Sequence, residues 1–398
     1  MSFVVVLFFG GLVARQRAPE PPAVAGPERM ANVALKILPS PVRTVVEGVY
    51  AEPDTQLAGG YADTQNRTWL FHVVLKSNEA SPLRIEQVDA RFKRGGKLLW
   101  QETYSRDYLT RLEWITGEYE MTPEYYLTKV MHGQEKPAGP DLPAKSSLSW
   151  VRIPFARPWF ANVDAIELAF HFTDPAGQTS VLTHVVPVED YHQKVTLRLP
   201  FNGTWAVNAG NDLSTGHRRT GLNGLTSYAW DFVKLGPDSR PYKTDGKSFK
   251  DYYTYNEEVR AAADGMVVYM RNDIPDYDIT QRPPIDVLRK DGDVFSGNLV
   301  VLDHGNGEYS LTCHMEAGTV AVKVGDRVEA GQVLGRVGNS GFAGVPHIHF
   351  NLMAGPKWLE TAGYPSHFSN FYRVRTGGPP QLIALGNPVT GWLVTNRQ

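Results

Sequence analysis

Short runs in which apolar and polar residues alternate dominate the first half of the chain. They are RTVVEGVYA (43–51), TWLFHVVLK (68–76), LRIEQVDARF (83–92), KLLWQETY (97–104), VDAIELAFHF (163–172), SVLTHVVPV (180–188) and KVTLRLP (194–200). A period of two, rich in β-branched and aromatic residues, is the pattern of a half-buried strand. Seven such runs predict a β-sandwich of immunoglobulin-like size over residues 40–195. A longer stretch, 105–160, interrupts them and reads as a partly helical insert. Within it MTPEYYLTKVMHG (121–133) predicts a short helix, with Thr122 as cap, Pro123 in the first position and Gly133 as stop.

The pattern changes near residue 195, and a second unit is expected over 196–398. Here glycines and turn residues are dense, and three runs combine an apolar face with a chemically active one. In VPHIHF (345–350) a strand would point His347 and His349 the same way, about 6.5–7 Å apart. Ile348, Phe350 and Leu352 then share the opposite face. In SYAWDFV (227–233) Tyr228, Trp230 and Phe232 form one face and Asp231 lies on the other. In YSLTCHM (309–315) Tyr309, Leu311, Cys313 and Met315 form the apolar parity, leaving His314 with Thr312 and Ser310. Gly305-Asn306-Gly307 predicts a hairpin turn just before that run. A fourth candidate, His217, sits in the glycine-flanked loop STGHRRTG. Two or three histidines with one carboxylate and no thiolate make the ligand set of a catalytic zinc site with an open position.

Composition narrows the class. A length of 398 residues implies two domains, and 42% hydrophobic with 21% charged residues describes a globular chain. A formal net charge of -2 without a long basic run gives no electrostatic footprint for nucleic acid. The single cysteine, Cys313, excludes an intrachain disulfide and a zinc finger. At the N-terminus, the uncharged stretch Phe3 to Ala14 is too short to span a bilayer as a helix and has the length of a signal core. Arg15 and Arg17 follow it rather than precede it, an atypical charge order. The Pro- and Ala-rich linker to residue 29 contains Ala23-Val24-Ala25, which could serve as a cleavage site. Export to the periplasm or cell envelope is the expectation, with at most an N-terminal membrane signal or anchor.

The order His217, Asp231, His314, then HxH in GVPHIHFNL after VGDRVEAGQVLGRVGNSG, closely resembles the lysostaphin-like (LytM-type) zinc endopeptidases over roughly residues 200–372. Four separate motifs match in order, whereas a lone HxH would be weak. The resemblance implies a β-sheet-rich metallopeptidase domain that binds Zn2+ through His217, Asp231 and His349. It implies catalytic roles for His314 and His347, and peptidoglycan stems or crossbridges as substrate. Two departures stand out: His217 and Asp231 are 14 positions apart, where most relatives have three residues between them, and Cys313 replaces a small residue before the catalytic histidine.

Cys313 is expected to be a buried packing residue. His304, beside the hairpin turn, and His72, His132, His171, His184 and His192 are expected to be structural or surface residues; His367 could line a groove wall. The polar inserts 236–258 and 271–297 are expected to build the walls of a substrate groove. Two other readings compete. A catalytically inactive relative that activates other cell-wall enzymes would have lost ligands, yet all five positions are filled. A biotinyl- or lipoyl-type carrier, suggested by VKVGDRVEAGQVLGRVG, would need a lysine at a hairpin tip, and none is present there.

Overall fold

The computed structural model describes residues 29–51, 66–158, 162–213, 216–220, 226–375 and 377–396. The apolar segment Phe3–Ala14 and the linker around Ala23–Ala25 lie outside the described residues. The chain is mainly β, with 46% strand and 8% helix.

In the first half two sheets close on one core. One sheet contains β3 (Leu83–Arg94), β4 (Lys97–Ser105), β6 (Ala165–Thr173) and β7 (Thr179–Glu189), in the order β7-β6-β3-β4. The other is built on β1 (Val33–Leu38), β2 (Asn66–Ser77) and β5 (Ser147–Pro158), with β2 in the middle. Alternation sends Trp69, Phe71, Val73 and Leu75 of β2 inward, against Val88, Ala90 and Phe92 of β3 and Ile166, Leu168 and Phe170 of β6. Each fully buried large apolar side chain contributes about 1.5–3 kcal/mol, so this shared interior is what joins the two sheets.

Two sequence expectations fail here. Residues 194–200 do not form a strand; their ladder contact is one bridge, Leu197 to Phe368. The expected insert 105–160 in turn contains β5, which pairs with β2 along most of its length. The register of β5 slips between Trp150 and Ile153, around Arg152 at φ +55°. That irregularity, with Pro154 beside it, erases the alternation a reader would look for. The rest of the insert covers the outer face of β2. His72 is buried there, its ring stacked 4.2 Å from Tyr119, and its Nδ1 accepts the Arg152 N–H at 3.0 Å. The helix expected near 121–133 starts as predicted. The Thr122 hydroxyl accepts the Tyr125 N–H at 3.2 Å, and the turn Pro123–Tyr125 runs on as a π-helical turn over Tyr126–Val130.

The second half centres on an antiparallel sheet of β8 (Trp230–Val233), β9 (Gly265–Arg271), β10 (Asn298–Asp303), β11 (Tyr309–Met315) and β12 (Ile348–Met353), in the order β8-β12-β11-β10-β9. The predicted hairpin connects β10 to β11, with Gly305, Asn306 and Gly307 all at positive φ. One face of the sheet buries Trp230, Phe232, Ile348, Phe350 and Leu352 in the larger core. On the other face Leu299, Val301, Leu311, Cys313 and Met353 pack with Ile274, Leu288, Val294 and Phe295. The stretch 271–297 is therefore partly core and not only a polar wall. Leu127, from the first half, is buried in the same cluster.

Further contacts fasten the halves together. Strand Val45–Ala51 pairs with Gln381–Asn387. The buried Glu308 carboxylate accepts the Tyr191 hydroxyl and the backbone N–H groups of Lys194 and Val195, the last two at 2.7 Å. Tyr191 stacks on Tyr364 at 4.1 Å, and Arg43 lies 5.0 Å from the Tyr364 ring while donating to the Gly363 carbonyl.

Candidate metal centre

The register of β12 against its neighbours builds most of the site. Asp231 of β8 and Cys313 of β11 both pair with His349, and directly opposed residues share a face. His347, two residues earlier, points the same way; the two imidazole centroids are 6.3 Å apart. Ile348 and Phe350 are fully buried on the other side, as the alternation predicted.

His314 arrives by a different route from the one expected. Strict alternation would send it away from His349, because Thr312 and Ser310 pair with Phe350 and Leu352 on the opposite face. The shared face of His314, Thr312 and Ser310 read from the sequence is therefore incorrect. The ladder to β10 pairs Asn298 with Met315 and Leu299 with Cys313, leaving His314 as an extra residue at φ +64°. This left-handed bulge turns the imidazole back to the site, 4.7 Å from the His347 ring and 5.8 Å from that of His349. Cys313 is buried as expected, but on the same parity as His349; burial pushes its thiol well above the ordinary range.

His217 lies on the short helix Gly216–Thr220 and completes the cluster. Its Nε2 is 3.3 Å from Asp231 Oδ2, while His349 Nδ1 is 2.9 Å from Asp231 Oδ1. His347 Nε2 approaches the same Oδ1 at 3.3 Å. Three of the five expected residues thus touch the carboxylate of a fourth, Asp231. The fifth, His314, forms a second group with His347 and His349, one ring nitrogen of each lying within 4.8 Å of the other two.

Two backbone carbonyls fix the tautomers of the second pair. A carbonyl can only accept, so His314 Nδ1–H donates to Ser340 O at 2.9 Å and His347 Nδ1–H donates to Val345 O at 2.7 Å. His314 thereby keeps Nε2 as an acceptor, whereas His347 Nε2 faces Asp231 Oδ1 and donates to it when the ring is protonated. Burial on its own would raise the Asp231 carboxyl, but His217, His347 and His349 around it hold it well below the usual carboxylate range. Burial, reinforced by His347 and His349, pushes His314 well below the ordinary imidazole value. Burial also lowers His217; for His347 the Asp231 charge and hydrogen bond outweigh burial and raise it.

The donor set fits a tetrahedral cation. Bonds of about 2.1 Å to nitrogen and oxygen put neighbouring ligand atoms roughly 3.4 Å apart. The His217–Asp231 separation of 3.3 Å, to Oδ2, and the His349–Asp231 separation of 2.9 Å, to Oδ1, are both close to this, and one ligand atom from each residue lies within 4.8 Å of the other two. His217, Asp231 and His349 are one of the two groups among the described residues able to hold a metal ion.

Supporting residues were not evident from sequence. Ser340 holds His314 through its carbonyl, and its hydroxyl donates to Met315 O at 2.7 Å and accepts the Asn298 N–H at 2.9 Å. Asn298 donates in turn to Ile274 O and Met315 O. The glycines flanking this loop were the available signal: a Cβ on Gly341 would lie 2.4 Å from Gly297 N. Tyr126 is a second omission. It packs edge-on to Phe295 at 6.0 Å, and burial followed by the charge of Asp231 raises its hydroxyl, which puts this first-half residue within electrostatic range of the site. The structural roles expected for other histidines include His304, whose nitrogens meet Asp264 O and Ser310 Oγ, 2.7 and 2.8 Å away.

Residues 247–360 match the sequence model of peptidase family M23, a span that includes His314, His347 and His349 and begins after Asp231. The chain is 38% identical over 72 residues to glycyl-glycine endopeptidase ALE-1 of Staphylococcus capitis, covering 18% of this chain and 20% of that protein. It is 37% identical over 59 residues to peptidoglycan DD-endopeptidase ShyA of Vibrio cholerae, 15% of this chain and 13% of the relative. The matches thus span a fifth or less of either relative. Among solved structures, the catalytic domain of lysostaphin from Staphylococcus simulans is 21% identical, covering 41% of this chain and 89% of its own, with a TM-score of 0.24. A zinc containing peptidase from Vibrio cholerae is 13% identical, covering 78% and 87%, with a TM-score of 0.25. Overlaps that low carry no part of the assignment, which rests on the sequence matches. The chain carries a peptidase family M23 domain at residues 247–360.

Proposed function

We propose that this protein is a zinc-dependent endopeptidase that hydrolyses amide bonds in peptidoglycan peptide stems or crossbridges. The observation that carries this reading is the convergence of His217 Nε2, an Asp231 carboxylate oxygen and His349 Nδ1, with His314 and His347 beside them. His217, Asp231 and His349 would hold the ion. When bound, Zn2+ supplies a Lewis acid that acidifies a water and polarises a carbonyl.

The chain's own groups supply the proton handling. His314 and His347 each keep Nε2 ready to take a proton, because Nδ1–H is committed to a carbonyl. One of them accepts the proton of the attacking water as the new C–O bond forms. That proton goes to the departing nitrogen as the C–N bond breaks. The second imidazole, once protonated, can donate to the oxyanion that builds on the carbonyl. The other three imidazole–carboxylate groups are buried or nearly so, which strengthens these interactions by excluding water.

The names of the sequence relatives support peptidoglycan as substrate and an envelope location. We further assign an immunoglobulin-like accessory domain that ends near residue 195 and starts at about 31 rather than the expected 40, because β1 pairs with β2 and Ala31, Val33 and Ile37 lie in its core. We assign 196–398 to the peptidase unit; separate cores drawn from residues 31–188 and 197–394 support that division. Among the described residues no helix is long and apolar enough to cross a membrane. The test is direct: purified protein, reconstituted with zinc, should release soluble fragments with new amino termini from purified cell-wall sacculi. A protein that binds no zinc and releases none would end this reading.

A further inference from the structure

The ligand His217 is not on the sheet that carries Asp231 and His349. It sits in a helix of five residues, Gly216–Thr220, a length that has little stability of its own in water. Something must hold this turn if Nε2 is to stay 3.3 Å from Asp231 Oδ2. The next residue does so. Arg218 is 4% exposed, and its guanidinium donates to Thr68 Oγ1 at 3.2 Å and to the Asn211 carbonyl at 3.1 Å. The same guanidinium lies 5.5 Å from the centroid of the Tyr228 ring, three residues before Asp231. Thr68 is a buried residue of β2 in the first half of the chain, anchored by its own bond to the Val45 carbonyl. A planar, permanently charged fork thus ties the ligand's helix, the approach to Asp231 and the first half together.

We propose that Arg218 is a positioning residue for the metal centre and that the first half of the chain, through Thr68, is part of that centre's construction. This rests on the zinc reading given above. Removing a group hydrogen-bonded to a metal ligand typically costs ten- to a hundredfold in affinity, and Arg218, which holds the ligand's turn rather than its ring, is expected at the lower end of that range. Arg219 makes a second link, to Glu113 at 3.6 Å, but both side chains are about half exposed and this pair is expected to matter little.

The experiment uses the full chain and zinc alone, with affinity read by competition against a chromogenic chelator. A second measurement follows amide hydrogen exchange over residues 216–220 in metal-free protein. Arg218→Ala should weaken zinc binding by about tenfold and speed exchange in that turn. Thr68→Val, nearly the same shape and therefore the safeguard if Arg218→Ala does not fold, should weaken binding severalfold and speed exchange in the same place. Glu113→Gln should stay within twofold of the parent. Zinc affinity and exchange both unchanged in Arg218→Ala or, failing its folding, in Thr68→Val overturns the proposal. If the parent takes up no zinc while the variants still exchange faster, the clamp stands and the proposed zinc peptidase activity falls.

Discussion

The imidazole of His314 hangs from the carbonyl of Ser340, with Nδ1 and O 2.9 Å apart, while its own backbone stands at φ +64°. The residue is thus held in a conformation that a side chain with a Cβ disfavours by about 1–2 kcal/mol. Glycine has no such penalty. His314→Gly should therefore be more stable than His314→Ala by about 1 kcal/mol, the reverse of the usual order within a strand. Both should retain zinc and lose most cleavage, about a hundredfold or more. Urea denaturation of the two variants side by side checks the stability difference.

Variants of Asp231 and His347 should separate metal binding from chemistry. Asp231→Ala removes the carboxylate that touches three imidazoles and should abolish stoichiometric zinc. His347→Ala should keep zinc and reduce cleavage of cell wall by about a hundredfold or more. Elemental analysis of both purified variants, with a sacculus digest, reads the distinction. Equal cleavage by the parent and both variants would refute the roles assigned to them.

Gly341 is expected to tolerate no side chain. Its φ of +71° and a Cβ 2.4 Å from the Gly297 nitrogen would force the Ser340 loop away from His314. Gly341→Ala should cost about 3 kcal/mol from overpacking and backbone strain together, and lower cleavage as well. Thermal unfolding gives the first number and the sacculus digest the second. A variant as stable and active as the parent would show that the loop is softer than its contacts imply.

His72 predicts an acid-side weakness. Burial, with Arg152 nearby, lowers its pKa from 6.5 to about 3, so the folded protein holds it neutral. Its contribution to stability is complete above pH 6.5 and is lost as pH falls from there toward 3. By pH 5 the loss from this residue is about 2 kcal/mol, since each unit corresponds to ~1.4 kcal/mol. Denaturation midpoints at pH 7 and pH 5 should differ accordingly, and His72→Gln should flatten the difference. An unaltered slope in that variant would locate the acid sensitivity elsewhere.

Leu127 and the Arg289–Glu124 pair both join the first half to the second, with unequal weight. Leu127 is buried among Phe295, Leu288 and Trp358, so Leu127→Ala should destabilise by about 2–4 kcal/mol. The ion pair is exposed on both sides, and Arg289→Ala should leave the unfolding midpoint unchanged. Chemical denaturation of the two variants compares them directly.

Local alternation made Asp231, His347 and His349 legible, because a strand of period two commits each side chain to a face and the apolar parity named the buried one. The same rule misdirects His314: an extra residue in β11 is invisible to a period-two reading, and only the likeness to a known motif pointed at it. Strand β5 was hidden for a related reason, the break at Arg152. Arg218, Tyr126 and Ser340 were not legible at all. Each acts through a partner 40 or more positions away or through a backbone atom, as with Thr68, Phe295 and His314.

The bulge at His314 has an evolutionary and engineering consequence. Deleting that one residue would let Asn298 to Leu299 and Cys313 to Met315 run as an uninterrupted ladder, without a left-handed kink. Selection or design for thermal robustness alone would therefore favour a shorter, smoother hairpin that has discarded the imidazole proposed to carry the proton. Stabilising libraries for this fold need an activity screen at every round.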